Sequence, residues 1–251
     1  MLKSIILSAF GAGLVVGAIL TGVQFVTTEP LILHGETFEK AAEANEAPAA
    51  AVDPAAAHQE ASGHDHAAAA ETTPAEHHHD AGAWEPADGF ERSAYTLLAN
   101  LLMGVGVSAV LLGAMTLRGG PIDARTGVLW GVAGFFVASL LPSLGLSPEL
   151  PGTAAAEITS RQIWWLGTVA ASAAGLALLV FAPAWYAKLA GIALAVVPHV
   201  IGAPRPPTLE APYPAALGAE FVVASLVASA LLWSLSGLFS GWLYRRVSRT
   251  A

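Results

Sequence analysis

The chain has 251 residues, 55% of them hydrophobic and only 12% charged, with a net charge of −8 and no cysteine. A soluble domain carries about a quarter charged residues, so this composition excludes an ordinary soluble globule, and a cysteine-free chain has no disulfides, thiolate metal sites or thiol nucleophiles. No basic cluster suggests nucleic acid as a partner, and continuous apolar runs argue against the short alternating strands of an outer-membrane barrel.

Runs of roughly 20 apolar residues are long enough to cross a ~30 Å hydrocarbon layer. Six are predicted: Ile5 to Val26, Tyr95 to Leu117, Gly127 to Leu144, Ile163 to Phe181, Tyr186 to Ile201, and Ala216 to Leu243. The first begins with a small basic stretch, "MLK", as a signal peptide does. Its apolar run exceeds the 7 to 15 residues of a signal h-region and no A-x-A site follows, so it reads as a retained helix. Ala9, Gly13, Gly17 and Thr21 recur on it every fourth position, a spacing that lets another helix approach closely.

Between the first two runs lies a loop, residues 27–94. Its middle, from about Ala41 to Gly82, is Ala, Glu, Pro, Thr and His with almost no large apolar side chain, which predicts disorder, with at most a transient helix in "ETFEKAAEANEA". The stretch "HQEASGHDHAAAAETTPAEHHHD" holds His58, His64, His66, His77, His78 and His79, six of the chain's eight histidines. Imidazoles spaced in this way collect divalent cations, weakly, because ordering the backbone offsets much of the coordination energy; low-complexity drift and pH sensing are the other readings. The flanks "EPLILHGETFE" and "WEPADGFERSAY" are richer in aliphatic and aromatic residues and are expected to dock on the membrane domain.

The fifth run is the short one, about sixteen residues, and would cross only with local thinning or without tilt; if it is re-entrant, the count becomes five. Lys and Arg are retained on the cytoplasmic side. Six crossings put Lys3, Arg118, Arg125, Lys188, Arg245, Arg246 and Arg249 on one side, and Arg92, Arg161, Arg205, Lys40 and nearly every acid on the other. The expected fold is thus all-α: a polytopic membrane helix bundle of about six transmembrane helices, both termini inside and the His-rich loop outside. Its parts are a first helix over residues 1–26, the loop over 27–94, and five further helices over 95–251.

Ionisable groups in or beside the apolar layer are costly and ask for an explanation. His34, Glu36, Asn100, Glu149, Glu157, Arg161, His199 and Glu220 all fall toward the outer face. Imidazole and carboxylate together suit Co²⁺, Ni²⁺ or Zn²⁺, and His34, His199 and Glu220 could meet if their helices are neighbours. Glu220 could equally form a structural salt bridge with Arg161 or Arg205, and His199 could be a structural hydrogen-bonding group. Pro198 removes a helix donor next to it. Trp164, Trp165, Trp185 and Trp242 read as interfacial belt residues, and Trp233 and the glycines Gly104, Gly106, Gly131 and Gly134 as packing features. There is no Walker loop, GxSxG, HExxH or dinucleotide fingerprint, so neither an ATP-driven engine nor an enzyme is expected, and no cofactor.

In order along the chain, "WEPADGFERSAYTLLANLLMGVG" from Trp84, "LLPSLGLSPELPG" from Leu140, "RQIWWLGTVAASAAGLALL" from Arg161, "PHVIGAP" from Pro198 and "AEFVVASLVASALLW" from Ala219 resemble the CbtA family of predicted cobalt transporter subunits. The resemblance implies five to six membrane helices, a small partner, CbtB, with one helix and a His-containing tail, and a link to cobalamin synthesis. The matched positions able to handle metal are His199, Glu220, Glu149, Glu85 and Asp88. The expected function is a permease subunit of the bacterial inner membrane that carries a divalent metal, Co²⁺ first, with Ni²⁺ or Zn²⁺ as alternatives. Its expected site is His199 and Glu220 with His34 and Glu149, fed by the His-rich loop. The competing classes are a membrane-anchored metal sensor or scaffold, and a membrane enzyme acting on a lipid or quinone.

Overall fold

A computed structural model of the chain describes residues 2–46 and 86–250. Among these residues there are seven helices: α1 (Leu2–Val26), α2 (Thr28–Glu46), α3 (Phe90–Arg118), α4 (Ala124–Ser143), α5 (Ile158–Phe181), α6 (Trp185–Ile201) and α7 (Ala215–Thr250). Helices dominate because a chain crossing lipid must satisfy every backbone N–H and C=O within itself. By length and apolar composition α1, α3, α4, α5 and α7 can each cross a membrane. With 17 residues α6 is about 25 Å long.

Backbone contacts at small residues set the packing. On α1, Ala9, Gly13, Gly17 and Thr21 form the face that receives α3: a Cβ on Gly13 would overlap the Val105 backbone, and one on Gly17 would lie 2.6 Å from the Asn100 carbonyl oxygen. In the same way Gly127 meets Gly237 where α4 crosses α7, and Gly175 meets Gly191 where α5 crosses α6. Trp233 packs over Gly134, as its mid-helix position suggests. The apolar core, Val16, Leu20, Val107, Leu111, Leu112, Met115, Ala228 and Leu232 among others, lies where α1, α3 and α7 meet.

These contacts fix which helix ends lie together. The α3 C-terminus runs back toward the first half of α1, where a Cβ on Gly11 would lie 3.3 Å from Leu243 of α7, and Arg118 stacks on the ring of Phe181 at the end of α5. The α4 N-terminus joins that end, since Gly241 abuts Asp123. Helix α6 starts beside Phe181 and retraces α5 as far as Trp164, whose indole N–H donates to the Pro198 carbonyl at 3.2 Å. It therefore runs alongside α5, on the periphery of the bundle, and does not turn back. One end gathers Lys3, Arg118, Arg125, Lys188, Arg245, Arg246 and Arg249; Arg92, Arg161 and Arg205 lie at the other, the His199 end.

The loop expectation needs correction at its start, because Thr28–Glu46 is a continuous helix. Pro30 falls in the first turn, where a missing N–H is harmless, and Ala, Glu and Lys carry the helix on. Gly35 rests on Leu150, and Glu36 pairs with Arg92, which also holds Asp88 at 3.2 Å. Both flanks are thus tied down. His58, His64, His66, His77, His78, His79 and Glu85 lie outside the described residues.

Candidate metal site

At the His199 end, the segment after α4, the start of α5 and the end of α6 enclose a cavity of about 540 Å³, lined by Glu149, Thr153, Trp164, His199, Arg205 and Tyr213 among others. His199 is in the last turn of α6. Helix α6 ends at Gly202, whose φ of 91° is one that residues with a side chain rarely adopt, and the Gly202 N–H donates to the Pro198 carbonyl at 3.0 Å. That carbonyl also receives the Trp164 indole, so the turn carrying His199 is pinned from two sides. The imidazole lies edge-on to Trp164, ring centroids 5.8 Å apart, and its Nε2 is buried without a hydrogen-bond partner.

Glu149 lines the same cavity, and its carboxylate accepts from the Arg161 guanidinium at 3.1 Å. Arg161 takes its place from the start of α5. There Glu157 caps the helix, accepting from the Thr159 and Ser160 N–H groups at 2.7 and 2.6 Å. Hydrogen bonds from Thr159 and Ser160 favour the ionised form and push the Glu157 carboxyl down to about 2. The cap fixes the backbone from which Arg161 projects, and the Arg161 N–H itself donates to the Glu157 carbonyl at 3.1 Å.

Glu149 also borders a second, open cleft of about 700 Å³ between α4, α5 and α7, with Arg161 and Gln162 at its mouth and Ser139, Ser143, Ser225 and Ser229 farther in. Here α4 is irregular, passing through a π-helical turn at Phe136–Leu140 before Pro142. Such turns widen the helix and recur at functional sites.

The other expected residues fall elsewhere. His34 is exposed on α2 against Phe38 of the same helix. Glu220 is exposed on α7 in a stripe with Val223 and Val227, three and seven residues on, and does not line the His199 cavity. Arg161, one of its suggested ion-pair partners, pairs with Glu149. Asn100 is a structural tie, donating to Thr21 at 3.0 Å and Gln24 at 2.6 Å. Among the described residues no three His, Asp or Glu side chains form a cluster able to hold a metal. The structure thus brings His199 together with Glu149 in one cavity and leaves His34 and Glu220 out of it.

Trp164 corrects the belt reading: it is half-buried and turned onto His199, whereas Trp185 and Trp242 are 71% and 42% exposed. The only sequence sign of this was its place three residues after Arg161, on the same face of one helix.

No curated protein and no solved structure matches the chain. A family model described as "Probable cobalt transporter subunit (CbtA)" matches residues 2–245, nearly the whole length, and the chain, a helical membrane bundle with a polar cavity at one end, belongs to the CbtA family.

Proposed function

We propose that this chain is the permease subunit for a divalent transition metal, with Co²⁺ taken up for cobalamin synthesis as the cargo, and that His199 and Glu149 receive the ion first. The observation that carries this reading is the buried, unpartnered Nε2 of His199 in a cavity that Glu149 also lines. Leaving such an atom unpaired costs about 1–3 kcal/mol, and a cation bound there offsets it. An imidazole with a carboxylate suits Co²⁺ better than it suits Mg²⁺ or Ca²⁺, which prefer all-oxygen sites.

The gathering of Lys and Arg at the end opposite His199 supports both termini on the cytoplasmic side of the bacterial inner membrane and the cavity on the outer side. The His-rich segment between α2 and α3 then stands outside as a collector that raises the local ion concentration. The word "subunit" in the family description supports a complex, with a single-helix CbtB-like protein as the partner. Moving an ion needs no covalent chemistry, and no enzymatic role is assigned.

Uptake of radioactive Co²⁺ by cells expressing the full chain tests this. His199→Ala and Glu149→Gln should each lower uptake about tenfold or more, the scale on which metal sites respond to lost support. Glu220→Gln should leave it close to wild type, and deletion of residues 58–80 should raise KM. Wild-type uptake by both site variants, at equal membrane abundance, would sink the reading.

A further inference from the structure

We infer that the Glu149–Arg161 ion pair is the gate between the His199 cavity and a hydroxyl-lined passage through the membrane layer, opened when an incoming divalent cation takes the Glu149 carboxylate from the guanidinium. This rests on the proposal that His199 and Glu149 receive the ion.

Among the described residues Glu149 is the one charged side chain that borders both spaces: His199 lines only the outer cavity, and Arg161 only the cleft. The cleft continues inward as a polar strip. Ser143 to Ser139 on α4 and Ser225 to Ser229 on α7 each step one helical turn, about 6 Å, away from the His199 end, because the two helices run antiparallel. Gln162 adds an amide at the mouth. Hydroxyl and amide oxygens can replace part of a cation's water shell without holding it as tightly as imidazole, which conduction requires. Pro142 has no N–H to offer the preceding turn, and the π-helical turn displaces the backbone there. Both loosen α4 on the wall where the passage begins.

The closed state follows from charge. A guanidinium at the mouth of a passage repels cations, and here it is held by the carboxylate that would otherwise attract them. The pair is exchangeable, since its side chains are 32% and 29% exposed and such pairs are worth little. A divalent ion interacts with a carboxylate about twice as strongly as a monovalent one at equal distance and dielectric, so it displaces Arg161 and repels it from the mouth. Only the Arg161 side chain need move: its backbone is held by the Glu157 cap and, one turn on, by the Trp164 bond to Pro198.

The full chain, which has no cysteine, is its own background for single-thiol accessibility. Ser229→Cys should react with a small membrane-impermeant thiol reagent, and adding Arg161→Gln should speed that reaction several-fold, whereas Ser236→Cys in the packed core should stay unlabelled. In Co²⁺ uptake, Arg161→Gln should lower KM about two- to fivefold, the worth of a partly exposed pair. Arg161→Lys, which keeps a competing cation, should stay near wild type. A merely structural Arg161 would raise KM instead. No labelling at Ser229→Cys, or labelling and KM both unmoved by Arg161→Gln, overturns the gate. If His199→Ala and Glu149→Gln leave uptake intact, it is the first-site proposal that has failed.

Discussion

Around Gly13 and Gly104 two helix backbones touch, whereas the His199-side halves of α4, α5 and α7 stand far enough apart to leave a cleft of about 700 Å³. Serine occurs in both regions and does different work in each. In the closed region Ser8, Ser108, Ser236 and Ser240 are fully buried, and their hydroxyls find no partner. They are there for their small size, as in membrane bundles generally, where close backbone approach takes the place of a hydrophobic driving force. In the open region Ser139, Ser143, Ser225 and Ser229 line the cleft, Ser143 with its hydroxyl donating to the Leu140 carbonyl at 2.7 Å. Helix α4 contains the transition: its first half is pressed against α7 through Gly127 and Gly131, and from its π-helical turn onward the serine-bearing cleft opens. Residue type alone therefore says little about function in this chain, and the space around the residue decides.

The largest expected effect breaks the closed half. Gly104→Leu should prevent recovery of folded protein, because any Cβ there overlaps the Gly13 carbonyl and overpacking on backbone exceeds the usual 1–3 kcal/mol. Gly106→Leu, two residues away with open space around it, should be recovered normally; the check is the monodisperse fraction after detergent extraction. If Gly104→Leu folds as well as Gly106→Leu, the tight crossing is wrong.

A subtler contrast separates the two serine classes. Ser108→Ala and Ser236→Ala remove unpartnered buried hydroxyls and should raise thermal stability by about 1 kcal/mol each with uptake unchanged. Ser143→Val and Ser229→Val should leave stability near wild type and lower the maximal rate of Co²⁺ uptake at constant KM. Uptake indifferent to both cleft changes would erase the distinction.

Trp164→Phe keeps the ring beside His199 but deletes the N–H that reaches Pro198. A few-fold rise in KM with normal abundance is expected, smaller than the loss in His199→Ala.

The smallest effect is at the α5 cap. The Glu157 carboxyl is held at about 2 against an ordinary 4.5, so its contribution is fully present above about 4.5 and is lost as pH falls toward about 2. Glu157→Gln should lower the melting temperature slightly near neutrality, where the charged cap contributes fully, and flatten the acid limb of the profile in that window. An unchanged acid limb would contradict the cap.

Much of this fold was legible in the sequence because apolar length and small-residue spacing are local properties. The helix at Leu2–Val26 and its Ala9, Gly13, Gly17, Thr21 face needed no partner to be read. The site was less legible, since membrane helices are apolar nearly all round and their sequences do not reveal which way a polar side chain points. Glu220 and His199 both sit toward the same end of the bundle, yet Glu220 lies on an exposed stripe of α7 while Glu149, from a connecting segment, shares the His199 cavity. Trp164 was read from its residue class, whereas its donor is used inward. The helix at Thr28–Glu46 was underestimated because its composition is polar, and its docking through Gly35 and Glu36 depends on residues far along the chain.

The most direct test is to locate the ion. In crystals of the full chain soaked in Co²⁺, an anomalous difference map at the cobalt edge should show a peak within coordination distance of His199 Nε2 in the cavity that Glu149 lines. Peaks confined to the His-rich segment or beside Glu220, with that cavity empty, would contradict the account.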